Sequence, residues 1–170
     1  MNIPHSSPHE FIGILDNSVL AWGLAACGIA QLLKVFFELI FNRQWRLKTL
    51  FETGGMPSSH SALVTGTSAG IGWELGFDHP VFALSVTVAF IVMYDASGIR
   101  RAAGLTASRV NLLTFSVLKD SNKEHLKETL GHTSLEVLVG SILGPAIALP
   151  GIFFIGSPMN LLDLFGFNFG

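Results

Sequence analysis

A histidine and a glutamate four residues apart are the first candidates for chemistry in this chain. His132 and Glu136 share one face if their segment is helical. A carboxylate beside an imidazole fixes the tautomer of the ring and raises its basicity, which prepares a histidine to act as a nucleophile or a base. The alternative is a pair that only caps and solvates the start of a helix.

The stretch GGMPSSHSA, residues 54–62, is the second candidate. Its two glycines allow a tight turn, and Pro57 suits the first position of a helix. That helix would begin with Ser58, Ser59 and His60. Free backbone N–H groups at a helix N-terminus bind anions, phosphate in particular, and here two hydroxyls and an imidazole would add donors. The alternative is a well-capped helix with an incidental histidine.

Three basic side chains are candidates to hold such an anion. Arg100 and Arg101 follow Asp95, which needs a partner, and guanidinium groups bind phosphate through two parallel hydrogen bonds. Lys34 lies in an apolar stretch, one helical turn before Glu38. The alternatives are an arginine pair that meets anionic lipid head groups, and a mutually neutralising lysine–glutamate pair whose ammonium extends to the interface.

The composition places these residues in a membrane. Of 170 residues, 49% are hydrophobic and 13% charged, with a mean hydropathy of +0.53, whereas soluble domains carry roughly 25% charged residues. We therefore predict a single membrane domain over residues 1–170. The net charge of −2 argues against nucleic acid as a partner, and the single cysteine, Cys27, excludes an intrachain disulfide.

Four apolar segments are long enough to cross a bilayer, which takes about 17 to 25 residues per helix. They predict an all-α, polytopic bundle with spans at about 18–41, 58–76, 80–99 and 133–156. All the basic residues except Lys34 fall in the two connecting loops, 42–57 and 100–132. By the positive-inside rule, both loops lie on the cytoplasmic side and both termini lie opposite.

This topology brings the candidate residues to one membrane face, although they come from three different helices. They are His60, Asp95, Arg100, Arg101, His132 and Glu136. Polar residues scattered at random would not be expected to meet in this way.

Two features leave alternatives open. The segment RVNLLTFSVL, residues 109–118, either extends the third helix or lies as an amphipathic helix on the membrane surface. The small-residue pairs Gly66/Gly70, Gly72/Gly76 and Gly140/Gly144 let helix backbones approach closely, either inside the bundle or across a homodimer face.

Three motifs of the chain resemble those of a known family. In order they are GGMPSSHSALVTG, IVMYDASGIRRAAG and LGHTSLEVLVGSILG. Together they look like the divergent PAP2 family of small membrane proteins, also described as acid phosphatase/vanadium-dependent haloperoxidase-related. The resemblance covers roughly residues 20–145 and implies a phosphatase-like site in a helical membrane fold.

The resemblance also implies roles for single residues. His132 matches the nucleophilic histidine of PAP2 phosphatases, Glu136 the carboxylate that orients it, and His60 the acid that protonates the leaving oxygen. Ser59 stands where the family motif usually has glycine, and Leu126 stands where it has an arginine. Other cations would therefore have to hold the phosphate. We expect it to be held by Lys34, Ser58, Ser59, Arg100 and Arg101, with Asp95 positioning the arginines.

Two functions follow as expectations. The first is a phosphatase that hydrolyses a lipid phosphate or pyrophosphate at the cytoplasmic or stromal face through a phosphohistidine, with no metal or other cofactor. The second is a non-catalytic protein that retains the fold and binds an anionic lipid, or serves as a small subunit or assembly factor of a larger membrane complex. The expected partners are membrane lipid and either a second copy or a larger complex. The expected location is a plasma, inner or thylakoid-type membrane.

Overall fold

The computed structural model describes residues 13–14, 16–43, 54–118 and 125–160, and every structural statement below refers to these residues. In this part of the chain the regular elements are all helical, which confirms the predicted fold class. In order they are α1 (Ser18–Asn42), α2 (Ser59–Leu75), α3 (Pro80–Tyr94), a π-helical turn (Asp95–Ile99), α4 (Arg100–Leu118) and α5 (Ser134–Phe154). Four of the basic residues on which the predicted orientation rests lie outside the described residues, namely Arg46, Lys48, Lys119 and Lys123.

Three helical segments are long and apolar enough to cross a membrane, and they are Ser18–Ile40, Pro80–Thr114 and Ser134–Phe154. The remaining predicted span, 58–76, corresponds to α2, whose 17 residues are at the lower limit of about 17 to 25 for a bilayer helix. Helix α2 contacts α1, α3 and α5, and its buried positions are all serine, alanine or glycine. Protein rather than lipid covers much of this helix, so it needs fewer large apolar side chains than its neighbours.

Helices α2 and α5 meet backbone to backbone at glycines. A Cβ atom on Gly66 would lie 3.1 Å from the carbonyl oxygen of Gly144, and one on Gly140 would collide with the carbonyl oxygen of Ser58. A Cβ atom on Gly70 would lie 2.9 Å from Cδ1 of Ile152, also on α5. The bundle therefore uses the pairs Gly66/Gly70 and Gly140/Gly144 for its internal packing, whereas Gly72 faces Phe77 and Phe82.

The third helix does not end at residue 99. The amide of Asp95 still donates to Ile91, and the amide of Arg100 donates to Asp95, so the π-helical turn joins α3 to α4 without a break. This confirms the first alternative for residues 109–118, which extend the helix to Leu118. The continuous helical segment Pro80–Thr114 has 35 residues and is therefore about 52 Å long. This length exceeds the thickness of a hydrocarbon core, about 30 Å. The helix is therefore longer than one crossing of the hydrocarbon core requires.

The opposite end of the bundle is closed by contacts between the start of α1 and the end of α5. The indole Nε1 of Trp22 donates to the carbonyl oxygen of Gly156 at 2.8 Å. The hydroxyl of Ser157 donates to Asp16 at 2.7 Å. These bonds join the start of α1 to the end of α5, so the two helices run in opposite directions. Helix α5 therefore begins near the end of α1, which is also the end of the bundle at which α2 begins.

A methyl group at Gly144 tests the glycine contact. Its Cβ atom would meet the Ala62 carbonyl oxygen, the Thr65 hydroxyl and the Gly66 amide, so Gly144→Ala is expected to lower the free energy of unfolding by about 1 to 3 kcal/mol through overpacking. Gly28→Ala on α1 is the matched control, because a Cβ atom there meets nothing within 4 Å. Thermal unfolding in detergent measures both variants, and equal midpoints would contradict the close approach.

Candidate functional site

The segment that carries His132 is fastened to the π-helical turn by its backbone. The amide of His132 donates to the carbonyl oxygen of Ala96 at 2.9 Å. A π-helical turn shifts hydrogen bonding from the i+4 to the i+5 residue, which makes a carbonyl group available to a partner outside the helix. Gly131 allows the approach, since it adopts φ +79° and a Cβ atom there would collide with the backbone of Arg100 and Arg101.

Glu136 holds the His132 ring and caps α5 with the same oxygen. Its Oε2 lies 3.0 Å from Nδ1 of His132 and accepts from the Thr133 amide at 3.1 Å. The Thr133 hydroxyl accepts from the Glu136 amide in return, which completes a capping box. The two sequence alternatives for this pair are therefore both realised in part, because the carboxylate caps the helix and also orients the histidine.

The second ring nitrogen of His132 is buried without a hydrogen-bond partner among the described residues. The residue is 4% exposed, and Nε2 is fully enclosed. Because the Glu136 carboxylate accepts at Nδ1, the proton of the neutral ring sits on Nδ1 and the lone pair on Nε2. A buried nitrogen lone pair without a donor is costly in a folded protein, so this atom is available to accept a hydrogen bond from a water molecule or another group in the adjoining space.

His132 lines a small cavity together with residues of α2, α3 and the helix that continues it. The lining consists of His60, Val92, Asp95, Ala96, Arg100 and His132, and the volume is about 30 Å³. The Arg100 guanidinium pairs with Asp95, and its side chain is 54% exposed. The structure thus brings together both histidines and an arginine from separate helices, as the sequence predicts.

Lys34 is buried in the protein and is not among the described residues that line this cavity. The residue is 2% exposed, and it lies near enough to Glu136, His60 and His132 to interact with them electrostatically. Its burial contradicts the alternative in which the ammonium extends to the interface. A buried ammonium needs compensating charge, and the Glu136 carboxylate supplies negative charge close to it.

The predicted serines are buried next to the site and are used to cap α2. The Ser58 hydroxyl accepts from the Ser61 amide at 3.3 Å and from the Ser61 hydroxyl at 2.9 Å. Neither Ser58 nor Ser59 is among the described residues that line the cavity. Arg101 is exposed and also absent from that lining. Pro57 precedes the cap, so the expectation that it occupies the first helical position is wrong.

Residues 125–131, here called the strap, run back along α4 and deliver His132 to the cavity. Asn111 on α4 donates to the Leu126 carbonyl oxygen at 2.9 Å and to the Glu128 carboxylate at 2.8 Å. It also accepts from the Leu126 amide at 3.0 Å. Gly104 lets the strap lie close, since a Cβ atom there would be 2.7 Å from the Glu128 carbonyl oxygen.

The length of the strap matches the helix that it follows. From Leu126 to His132 an extended chain advances roughly 20 Å. From Asn111 back to Ala96 the helix rises about 22 Å. The hydrogen bonds at Asn111 and at Ala96 therefore fasten both ends of an extended segment of the right length. Sequence reasoning missed Asn111, whose signal was a polar residue in register with the small residues Gly104 and Ala107 on one helical face.

These features define a class of protein, a polytopic helical membrane protein with a histidine–glutamate pair and an arginine around a cavity at one end of its bundle. Comparison with known proteins also points to a membrane protein. The divergent PAP2 family matches residues 15–147. An uncharacterized membrane protein of Bacillus subtilis strain 168, YuiD, is 38% identical over 80% of this chain and 94% of its own. No solved structure matches. The chain belongs to the divergent PAP2 family.

The stability of the protein is expected to fall in mild acid because of His132. Burial of the ring lowers the pKa of His132 from its ordinary value of 6.5, although the hydrogen bond to Glu136 opposes this. Below that pH the unfolded chain binds a proton that the folded protein does not, so the stabilisation by neutral His132 is complete above pH 6.5 and is lost as the pH falls toward the folded pKa.

His132→Asn removes this titration. Between about pH 7.5 and about pH 5.5, the unfolding free energy of the wild type is expected to fall more steeply than that of the variant, by up to about 1.4 kcal/mol per pH unit. Chemical denaturation in detergent at several pH values measures the two slopes. Parallel slopes would show that His132 takes up its proton equally in the folded and unfolded states.

Asn111→Ala is expected to release the strap. The variant leaves the Leu126 amide and carbonyl group without their partner, at a cost of about 1 to 3 kcal/mol. Amide hydrogen exchange over residues 125–132 is therefore expected to accelerate. Thr106→Ala on the same helix is the control, because its hydroxyl bonds only to Ala102 of its own helix. Equal exchange in the two variants would mean that Asn111 does not hold the strap.

Proposed function

We propose that this membrane protein hydrolyses a phosphate ester or pyrophosphate of a lipid, with His132 as the nucleophile. The observation that carries the proposal is the His132 ring, which is oriented by Glu136 at Nδ1 and has a buried, unpartnered Nε2 beside a cavity that it shares with His60 and Arg100. A histidine arranged in this way is prepared to attack an electrophile at Nε2.

Each step of the proposed reaction has a residue to perform it. The Nε2 lone pair of His132 forms a bond to phosphorus while the bond from phosphorus to the leaving oxygen breaks, and His60 gives that oxygen its proton. Water then gives a proton to His60 and attacks the phosphorus of the phosphohistidine, the phosphorus–nitrogen bond breaks, and inorganic phosphate leaves. Glu136 stabilises the ring as it gains positive charge.

The cations near the cavity would stabilise the phosphoryl oxygens. Phosphoryl transfer depends mainly on positioning and on charge stabilisation. Arg100 is half-exposed and is held by Asp95, so it has room to turn toward a phosphate. The buried charge of Lys34 adds positive potential from the protein interior. In this proposal Ser58 caps α2 and Ser59 is buried in its first turn. They do not bind the phosphate directly, which is the role predicted for them from the sequence.

The side of the membrane follows from the charges. The arginines near the cavity and the basic loops favour the cytoplasmic or stromal side for this end of the bundle. The contacts of Trp22 and Ser157 then belong to the opposite side, together with both termini. We propose the site at that cytoplasmic or stromal face, where lipid head groups reach it from the membrane.

A non-catalytic role is the second candidate, and one observation favours it. The cavity of about 30 Å³ has room for only one or two water molecules, and Asp95 already occupies Arg100. A protein with this site would hold an anionic lipid head group at the surface of the pocket, or serve as a small subunit of a larger membrane complex. It would retain phospholipid through purification and turn over no substrate.

Turnover by purified protein separates the two candidates. A panel of lipid phosphates and pyrophosphates is incubated with the wild type and with His132→Ala, which is expected to lower kcat by about 10³-fold or more. His79→Asn, at the opposite end of the bundle, is the matched control because asparagine also caps a helix. Equal turnover by the wild type and His132→Ala would exclude His132 as nucleophile.

The leaving group tests the acid. With an alkyl phosphate, His60→Ala is expected to lower kcat by about 10² to 10⁴-fold. With p-nitrophenyl phosphate the loss is expected to be far smaller, because p-nitrophenolate leaves without a proton. The same loss for both substrates would assign His60 a role other than proton donation.

A further inference from the structure

A second, apolar cavity lies between α2 and α3. It is a groove of about 290 Å³, and the residues that line it alternate between the two helices. On α2 they include Val64, Thr67 and Ile71, and on α3 they include Val81, Ser85 and Val88.

The groove lies in line with the cavity that holds the two histidines. On α2, three of its residues, Val64, Thr67 and Ile71, follow His60 at steps of four, seven and eleven, the spacing of a single helical face. On α3, three of its residues precede Val92 at the same steps, and they are Val88, Ser85 and Val81. His60 and Val92 both line the polar cavity. The two cavities are therefore successive parts of one seam between the same two helices.

The walls of the groove are mainly apolar. The hydroxyls of Ser68 and Ser85 donate to carbonyl groups of their own helices, both at 2.7 Å. The remaining walls are mainly aliphatic side chains, and the outer rim faces away from the bundle, with Leu84 63% exposed and Val88 46% exposed. An apolar chain can thus enter sideways from the hydrocarbon layer and lie against walls whose serine hydroxyls are already paired.

The length of the seam also suits a chain. From His60 to Ile71 the helix rises roughly 16 Å, which is close to the length of an extended dodecyl group. The polar cavity lies at the His60 end of this stretch, and the apolar groove extends from there to Ile71. An amphiphile with a phosphate at one end would satisfy both parts at once.

We propose that the substrate is a phosphate ester of a long alkyl chain, with its phosphate at His60, Arg100 and His132 and its chain in the groove between α2 and α3. The assignment of the phosphate end rests on the proposed function. The assignment of the chain rests on the groove, its alignment with His60 and Val92, and its opening toward lipid.

Binding of two radiolabelled esters to the protein in phosphatidylcholine nanodiscs tests the proposal, with binding to empty nanodiscs subtracted. Ethyl phosphate has only the head, and dodecyl phosphate has the head and the chain. Val88→Trp and Leu84→Trp fill the groove at exposed positions that tolerate bulk. Ala83→Trp adds the same bulk to α3 at an exposed position outside the groove lining and is the control.

The ratio of the two affinities is the quantity compared, because partitioning of dodecyl phosphate into the bilayer is the same for every variant. Both groove variants are expected to lower this ratio at least tenfold, and Ala83→Trp is expected to change it less than twofold. Size-exclusion elution and helical circular dichroism identify any variant that fails to fold, and the second groove variant then decides.

The outcomes that would contradict the proposal distinguish the phosphate site from the site of the alkyl chain. If the wild type binds neither ester, the phosphate site of the proposed function is wrong. If it binds both and neither folded groove variant changes the ratio, the phosphate site stands and the chain does not lie between α2 and α3. If Ala83→Trp lowers the ratio as much as the groove variants, the effect is not specific to the groove and the proposal is overturned.

Discussion

The close approach of α2 and α5 is the constraint on which the rest of the structure depends. The Ser58 amide donates to the Glu136 carbonyl oxygen at 3.0 Å, and Gly140 leaves the space for that contact. Because both helices begin at this contact, His60 near the start of α2 lies beside His132, which immediately precedes α5. A side chain in place of Gly140 would force the two starts apart and separate the histidines.

The electrostatic interactions among Lys34, His132 and Glu136 depend on this packing. Few hydrogen bonds or counter-charges are available within an apolar bundle, so each buried polar group must be matched by another. Glu136 has three roles, since it caps α5, orients His132 and lies near the buried ammonium group of Lys34. One buried atom is left unmatched among these groups, Nε2 of His132, and the proposed chemistry is assigned to it.

Much of the fold was predictable from local patterns. Long apolar runs predict membrane helices because each backbone polar group must be satisfied within its own segment. The His132–Glu136 pair was predictable because four residues make about one helical turn. The uses of Ser58 and Asn111 were not predictable. A serine before a helix serves equally as a cap or as an anion donor, and the bonds of Asn111 join residues that lie fifteen and seventeen positions apart.

The sequence by itself determined the class of protein, the helices and the residues able to perform chemistry, because these depend on hydrophobicity and on the period of a helix. Only the tertiary structure decided which of those residues share a cavity. It buried Lys34, brought Arg100 to the cavity lining and left Arg101 exposed, and it carried His132 along α4 to the π-helical turn. These outcomes depend on how closely separate helices approach, and the missing Cβ atoms of Gly66, Gly140 and Gly144 allow the short distance at the α2–α5 contact.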